Sequence, residues 1–269
     1  MQVFRAILKY YVMGHIHVSL AVVALTLVTF REMNQEAPYV LLGFVFFGTV
    51  LAYNTINFIG ARQGTPMVIS EFLMDNGTRL VPWVMGSLFF YVFLPINIKL
   101  LALGFGALSF VYIVPVRIAA LRNYAGLKLF IVAFVWAGIT VLLPLEYEGN
   151  TSLDSILQLA IPRFFWIIVL TLPFDIRDMD RDLPHLKTWP QTYGINRTKI
   201  MGTLLLLLVG LWHAYFWACC PVRPWAFLIT IMVTLMGLWG SSPQRNWWYA
   251  AFWIECIPLL WLALVEWGL

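Results

Sequence analysis

Charged side chains are scarce in this chain. Aspartate, glutamate, lysine and arginine make up 11% of the residues, against about 25% in an ordinary soluble domain. Hydrophobic residues make up 61%, and the mean hydropathy is +0.82. So few charges cannot cover a surface that faces water, which excludes an ordinary soluble globular protein. The composition therefore predicts an integral membrane protein that is surrounded by membrane lipids and has no nucleic-acid partner.

Cysteines and polar linkers are also few. The three cysteines include an adjacent pair, Cys219 and Cys220, and show no framework of paired spacings, so a disulfide or a zinc site is not expected. The opening stretch MQVFRAILKYYVMGHIH lacks the short apolar core and the small-residue cleavage site of a signal peptide. The first hydrophobic segment is therefore expected to stay in the mature protein. No hydrophilic linker is long enough to separate soluble domains, which predicts one transmembrane helical domain over residues 1–269.

Long apolar runs, in contrast, are abundant. A helix that crosses a bilayer needs about 20 mostly apolar residues. Nine stretches meet this requirement with loose edges, which predicts an all-α membrane protein with nine spans: 13–30, 38–59, 80–97, 99–116, 128–145, 156–174, 200–219, 225–241 and 247–267.

The basic residues predict how these spans are oriented. If the gaps alternate from an inside N-terminus, only four of the 17 lysines and arginines fall outside: Arg31, Lys99, Arg163 and Arg223. Cytosolic loops of membrane proteins carry an excess of lysine and arginine. The N-terminus and the two longest polar segments, 60–79 and 175–199, are therefore predicted to be cytosolic, and the predicted location is a bacterial inner membrane.

The second polar segment begins with four aspartates in eight residues, Asp175, Asp178, Asp180 and Asp182. If the preceding helix continues through this stretch, each residue turns by about 100°. Asp175, Asp178 and Asp182 then share one face, and Asp180 lies on the back. The pattern predicts a cluster of three carboxylates at the cytosolic end of the sixth span.

Such a cluster needs a compensating charge. On the same helical geometry Arg177 and Arg181 fall away from the acidic face, so we expect them not to neutralise it. Carboxylates that repel one another near low dielectric favour a bound cation. Carboxylate oxygens suit Mg²⁺. The coordination positions that they leave open are usually filled by water and by a phosphate substrate. The alternative is a solvated charged loop that flanks a membrane helix.

A site for Mg²⁺ and phosphate should also have cations nearby. The stretch YIVPVRIAALRNYAGLKLF supplies Arg117, Arg122 and Lys128 on the same predicted membrane face. They are candidates to bind the phosphate and balance the negative charge that Mg²⁺ does not neutralise. The alternative is that they only follow the distribution of positive charge toward the cytosol.

These segments resemble motifs of the UbiA superfamily of intramembrane prenyltransferases. DIRDMDRD, from Asp175 to Asp182, resembles that family's second aspartate motif. KTWPQTYG resembles its trailing T-x-P-x-x-x-G element through Thr188, Pro190 and Gly194. The region between the family's fourth and fifth helices is matched by YIVPVR, Lys128 and Trp136. With the nine predicted spans, the resemblance extends over nearly the whole chain.

The resemblance implies an all-helical membrane bundle around a central cavity. It implies two aspartate motifs that bind Mg²⁺ and the diphosphate of an isoprenoid donor, through Asp175, Asp178 and Asp182 here. The donor then ionises, and its carbocation alkylates an acceptor such as a quinone precursor, a haem or a glycerol lipid. Arg117, Arg122 and Lys128 would contact the diphosphate.

The chain departs from the family at the first motif, which reads roughly N-D-x-x-D-x-x-x-D. The segment NFIGARQGT keeps Asn57 there, but its aspartate positions carry other residues: Phe58, Ala61 and Thr65. Glu71 and Asp75 follow a few residues later and could substitute. Neutral ligands from Asn54, Asn57 and Thr65 are the other option, and Arg62 adds a positive charge that could contact a diphosphate.

Three further polar residues belong to the predicted apolar helices. His15 and His17 lie near the start of the first span, as packed or interfacial histidines or, for His17, as a contact in the cavity. Glu255 lies within the last span, where a carboxylate is costly and tends to face a cavity or a partner.

Two functions remain open at this stage. One is a Mg²⁺-dependent prenyltransferase that acts on an isoprenoid or related lipid diphosphate. The other is a catalytically inactive protein of the same fold that binds a lipid or a membrane partner. A transporter has less support, although Glu255 keeps it open.

Overall fold

A computed structural model describes residues 2–60, 69–113, 126–182, 186–216 and 224–267. Within these ranges the chain is all-α and contains no strand. Its twelve α-helices are α1 (Gln2–Met13), α2 (Ile16–Glu32), α3 (Tyr39–Gly60), α4 (Ile69–Val92), α5 (Ile96–Ile113), α6 (Leu127–Ala137), α7 (Leu143–Tyr147), α8 (Leu153–Asp178), α9 (Trp189–Tyr193), α10 (Ile195–Phe216), α11 (Pro224–Gly240) and α12 (Ile257–Glu266).

Two π-helical segments lie within otherwise continuous helical runs. Gly138–Leu142 joins α6 to α7, and Tyr249–Ile254 precedes α12. A π-helical turn inserts an extra residue into the helix and re-aims the side chains around it. Both segments lie close to the polar groups described below.

Five helical runs in the described residues are long and apolar enough to cross a membrane: Tyr39–Asn57, Leu127–Tyr147, Leu153–Asp178, Ile195–Phe216 and Tyr249–Glu266. Shorter apolar helices cover Arg79–Val92, Ile96–Tyr112 and Trp225–Gly240. The all-α prediction is confirmed for the described residues. The nine predicted spans stay a prediction, since five runs meet the length and hydropathy of a span and the predicted segment 80–97 runs through the turn between α4 and α5. The sequence interpretation did not include α1 or α9 as separate helices.

Glycine and phenylalanine interlock α3 with α4. A Cβ atom on Gly43 would overlap the ring of Phe90, and one on Gly86 would overlap the ring of Phe47. On each helix, therefore, a phenylalanine ring packs directly against a glycine of the other helix. Such close approach of two backbones gives apolar helices dispersion contacts that lipid chains would not supply.

The core contains a buried ion pair. Arg163 of α8 is 3% exposed, and its guanidinium lies 3.3 Å from the Glu32 carboxylate of α2. It also donates to the Leu25 carbonyl at 3.0 Å and the Thr29 hydroxyl at 3.3 Å, and it stacks over the Trp261 ring at 4.6 Å. The topology argument had placed Arg163 outside with the loops. The structure instead buries it, and its partners offset the cost of burying the charge.

Candidate functional site

The acidic stretch begins where α8 ends. The helix stops at Asp178, and residues 179–182 form a turn in which the amides of Arg181 and Asp182 donate to the Asp178 carbonyl at 2.8 and 2.7 Å. The α-helix therefore ends four residues earlier than expected, and residues 179–182 continue as a single turn. The expected shared side of Asp175 and Asp182 is kept, since both carboxylates reach the Lys128 ammonium.

Lys128 of α6 bridges two of the aspartates. Its ammonium lies 2.8 Å from Asp175 Oδ1 and 3.4 Å from Asp182 Oδ2. The side chain of Asp175 is 6% exposed, so water screens its charge little. An ammonium shared by two carboxylates offsets their repulsion and satisfies the more buried one. We call this cluster the Lys128 bridge.

The third aspartate has its own partner. Arg177 holds Asp178 with two short contacts, Nε to Oδ1 at 2.8 Å and Nη2 to Oδ2 at 2.6 Å. This forked geometry is the strongest form of a guanidinium–carboxylate pair. The expectation that the neighbouring arginines do not neutralise the acidic face is therefore wrong for Asp178.

These pairings decide how well the cluster fits a metal ion. Mg²⁺ binds through carboxylates that are free to act as ligands. In the part of the chain that the structure describes, no group of three His, Cys, Asp or Glu residues is placed to hold a metal. Asp175 and Asp182 hold Lys128, and Asp178 holds Arg177. The described residues thus do not form a ready Mg²⁺ site, and Mg²⁺ stays a prediction from the resemblance.

The trailing element KTWPQTYG supports the acidic turn. The Gln191 amide of α9 donates to the carbonyl oxygens of Met179 at 3.1 Å and Asp182 at 3.0 Å. Its Oε1 accepts from the amide of Thr188 at 3.1 Å. The chain then turns at Gly194 with φ +80°, a value that glycine adopts without strain. Sequence reasoning overlooked Gln191, whose only signal was a polar side chain inside the motif.

A polar surface pocket of about 900 Å³ lies against this turn. Asp180 and Asp182 both line it, together with Arg181, Gln191 and Asn196. Asp180 is predicted to lie on the back of the acidic face, and in the structure it is an exposed residue of the turn that follows α8.

A second, apolar cavity of about 620 Å³ lies among α2 to α7. None of its lining residues in the described part of the chain is Asp, Glu, Lys or Arg. Its polar groups include Tyr53, whose hydroxyl accepts a 3.1 Å hydrogen bond from the Trp136 indole. A cavity of this volume and lining fits the apolar part of a small lipid-like ligand.

The apolar cavity and the Lys128 bridge adjoin one another. Ile131 and Val132 line the cavity and lie one helical turn after Lys128 on α6. Tyr112, another lining residue, lies within electrostatic reach of the Lys128 ammonium. A ligand in the cavity would therefore have its apolar part in the bundle and one end near a cation.

The asparagines of the first motif make helix contacts. Asn54 donates to the carbonyl oxygens of Val50 at 2.8 Å and Gly14 at 3.4 Å. Asn57 donates to His15 Nε2 at 2.7 Å. Neither asparagine lines the two cavities described above. Both hold the turn between α1 and α2 against α3.

His15 in that turn and His17 in the first turn of α2 are packed groups. His17 is 1% exposed, and its Nε2 donates to the Phe252 carbonyl at 3.0 Å. Its Nδ1 is therefore left to accept from the Tyr11 hydroxyl at 2.9 Å. Burial lowers the pKa of His15 to about 4, so this residue stays neutral at physiological pH. His17 does not line either of the two cavities.

Glu255 lies in the turn between the second π-helical segment and α12. It is half-buried and within electrostatic reach of Arg177 and of the cavity residue Tyr53. The sequence places this carboxylate within the last predicted span and does not name its partner. The structure places it close enough to Arg177 to interact with the residue that holds Asp178.

Several candidate residues lie outside the described part of the chain: Arg62, Thr65, Arg117 and Arg122. Glu71 and Asp75 fall in the first two turns of α4, so the helical condition for their sharing one face is met. The proposed roles of all these residues stay predictions.

Comparison of the chain with protein-family models, with curated proteins and with solved structures found no match.

Proposed function

We propose that the protein is a divergent UbiA-type prenyltransferase with nine helical passes, which binds its lipid substrate in the apolar cavity among α2 to α7. It would transfer an isoprenoid or related lipid group from a diphosphate donor to an acceptor, with its N-terminus and the acidic turn on the cytosolic side of a bacterial inner membrane. The family resemblance supplies the reaction. The contact between an uncharged cavity and the Lys128 bridge is the observation that supports it best.

This arrangement matches the two parts of a lipid diphosphate. The chain would occupy the cavity, whose described lining carries no ionised side chain. The phosphate would lie at the end where Lys128 donates to Asp175 and Asp182. Because phosphate oxygens accept charge-assisted hydrogen bonds as carboxylates do, the ligand would compete with these aspartates for the ammonium.

Other residues have supporting roles in the proposal. Gln191 fixes the backbone of the acidic turn, so that Asp182 stays within reach of Lys128. Arg177 keeps Asp178 paired and out of contact with Lys128. Arg117 and Arg122 would add positive charge for the diphosphate, and the apolar walls would keep water from a reactive carbocation.

A second candidate function is lipid binding without transfer. The pairing of Asp175, Asp178 and Asp182 with Lys128 and Arg177 favours it, since the three carboxylates predicted to bind Mg²⁺ already have cationic partners. The first motif also lacks its aspartates. In this case the protein would hold an isoprenoid or another lipid and return it unchanged, or present it to a membrane partner.

One experiment separates the two candidates. The purified protein in lipid nanodiscs is incubated with geranyl, farnesyl and geranylgeranyl diphosphates, with Mg²⁺ or with a chelator. Binding and the release of inorganic diphosphate are both measured. Release that depends on Mg²⁺ and is lost in Asp175→Asn supports the transferase, whereas binding without release supports the second candidate.

A matched control lies on the same helix. Asp154 is exposed in the first turn of α8, at the opposite end from Asp175. Asp154→Asn makes the same chemical change and should leave binding and release unaltered. Absence of binding for all three chain lengths in the unmodified protein would rule out the transferase with these donors and the isoprenoid form of the second candidate.

A further inference from the structure

The apolar cavity carries two hydroxyl groups that depart from the pattern of the surrounding helices. A serine or threonine inside a helix commonly donates its hydroxyl to the carbonyl four residues earlier. Several of the described helices follow this pattern, at Thr26, Thr29, Thr55 and Ser109. Thr49 of α3 and Ser87 of α4 line the cavity. Within the described part of the chain, neither of their hydroxyls has a hydrogen-bond partner.

The two hydroxyls belong to helices that pack on each other, α3 and α4. Thr49 is 8% exposed. The Ser87 Oγ lies 3.7 Å from the position that a Cβ atom on Gly48 would take, so it lies against the residue that precedes Thr49. An unpaired hydroxyl in apolar surroundings costs free energy unless a ligand or a bound water pairs with it. Thr49 and Ser87 are therefore placed to bind a polar atom of a ligand in the cavity.

Tyr53 adds a third hydroxyl, one helical turn after Thr49 on α3. It lines the same cavity, and its oxygen accepts the indole N–H of Trp136 at 3.1 Å. Its own hydrogen has no acceptor among the residues that the structure describes. A hydroxyl that already accepts one hydrogen bond becomes a better donor of another. Tyr53 is therefore suited to an oxygen atom that accepts a hydrogen bond.

The charge of the cavity wall indicates which kind of oxygen fits. None of the described lining residues is Asp, Glu, Lys or Arg, so a carboxylate or phosphate between these hydroxyls would have no counter-ion in the wall. Lys128 precedes Trp136 by two turns of α6, which is about 12 Å along the helix axis. The oxygen is therefore neutral. A carbonyl oxygen fits because it accepts two hydrogen bonds and donates none.

We propose that the cavity binds a lipid that carries a neutral carbonyl group, held by the hydroxyls of Thr49 and Ser87 with Tyr53 as a further donor. A hydrocarbon chain alone would leave these hydroxyls unpaired, so the isoprenoid chain of a donor does not account for them. The site goes beyond the proposed function, since it requires no diphosphate, no metal and no transfer reaction. Long-chain ketones and fatty-acid esters both carry such a group.

The cavity offers two matched pairs of substitutions. Thr49→Val replaces the unpaired hydroxyl by a methyl group of similar size. Thr55→Val makes the same change at a cavity residue of the same helix whose hydroxyl is already bonded to that helix at 2.8 Å. Ser87→Ala and Ser109→Ala form the second pair, because Ser109 also lines the cavity and is bonded to its own helix at 2.8 Å.

The probes are three molecules with equal numbers of carbon atoms: methyl pentadecyl ketone, methyl palmitate and heptadecane. The purified protein is kept in dodecyl maltoside, whose alkyl chains offer the cavity no carbonyl group. Retention of each radiolabelled probe by the protein is measured relative to protein-free micelles. The ketone and the ester separate the two sources of the carbonyl, and heptadecane reports the binding of hydrocarbon alone.

We expect the unmodified protein to retain the ketone, the ester or both several-fold more than heptadecane. Thr49→Val and Ser87→Ala should each lower this retention by roughly two- to tenfold, as expected for one lost hydrogen bond, and leave heptadecane unchanged. Thr55→Val and Ser109→Ala should alter the retention of no probe. Equal retention of the three probes, or an equal loss of heptadecane in Thr49→Val, would overturn the proposal.

Two further measurements separate a binding role of Thr49 from a structural one. The infrared carbonyl band of the bound ketone or ester should lie at lower frequency in the unmodified protein than in Thr49→Val, because a hydrogen bond weakens the C=O bond. Without a probe, Thr49→Val should be at least as stable as the unmodified protein, since its hydroxyl had no partner to lose. An unshifted band, or a clear loss of stability in probe-free Thr49→Val, would contradict the proposal. Because no probe carries a diphosphate, failure of the transferase proposal would not alter these results.

Discussion

Replacing Asp175 by asparagine should destabilise the protein even before any ligand is added. The carboxylate is 6% exposed and lies 2.8 Å from the Lys128 ammonium. From the sequence alone, removing one of several repelling aspartates would leave the fold intact or stabilise it. The structure reverses this expectation because the charge next to Asp175 is an ammonium.

The size of the effect follows from the geometry. A hydrogen bond to a charged group contributes about 1.5–3 kcal/mol, so Asp175→Asn should lose about that much. Asp182→Asn should lose less, since its contact with Lys128 is longer, at 3.4 Å, and its side chain is 15% exposed. Lys128→Met should cost most, about 3–5 kcal/mol, because it leaves Asp175 buried without a partner.

The assay is denaturant or thermal unfolding in one detergent, with a double-mutant cycle on Lys128 and Asp175. The double variant Lys128→Met with Asp175→Asn should recover part of the loss of Lys128→Met, because the uncompensated charge is gone. Asp180→Asn is the control, since Asp180 is exposed and makes no ion pair among the described residues. If Asp175→Asn and Lys128→Met were both as stable as the unmodified protein, the Lys128 bridge would not exist in solution.

Three further predictions concern other polar contacts. Arg163→Met should destabilise the protein by about 3–5 kcal/mol by leaving Glu32 buried alone, and adding Glu32→Leu should restore part of it; no loss in unfolding assays of the single variant would contradict the buried pair. Gln191→Ala should speed amide hydrogen exchange across residues 179–182, because two carbonyl contacts are lost; exchange at the unmodified rate would speak against this support. Burial holds the pKa of His15 near 4, below the usual 6.5, so its contribution to stability is present above pH 6.5 and lost as the pH falls toward 4. His15→Asn should flatten that part of the stability–pH curve, and an unchanged curve would exclude His15 as its source.

The sequence by itself determined the class of the protein and the positions of its helices. A chain with 11% charged residues and repeated apolar runs has no means of covering a water-facing fold, so the all-α membrane character follows from composition. The runs also fix where each helix lies, because intrahelical hydrogen bonds are the local way to satisfy a backbone inside a membrane. Neither property depends on which helices become neighbours.

The end of α8 shows where local reasoning fails. Helical spacing placed three aspartates on one face, and Asp175 and Asp182 do meet at the Lys128 ammonium. The spacing did not show that the helix stops at Asp178 or that Gln191 holds the turn that follows. The spacing of residues along one helix predicts only which of that helix's own side chains share a face. It gives no information on a side chain from another element that caps or redirects the chain.

Only the tertiary structure decided how the charges are paired. Lys128 and Asp175 are 47 positions apart, and Arg163 and Glu32 are 131 apart. Their contacts exist because α6 packs on α8 and because the long Arg163 side chain of α8 reaches α2. Electrostatic energy depends on distance in space, and the order of residues in a chain does not fix that distance until the helices have packed.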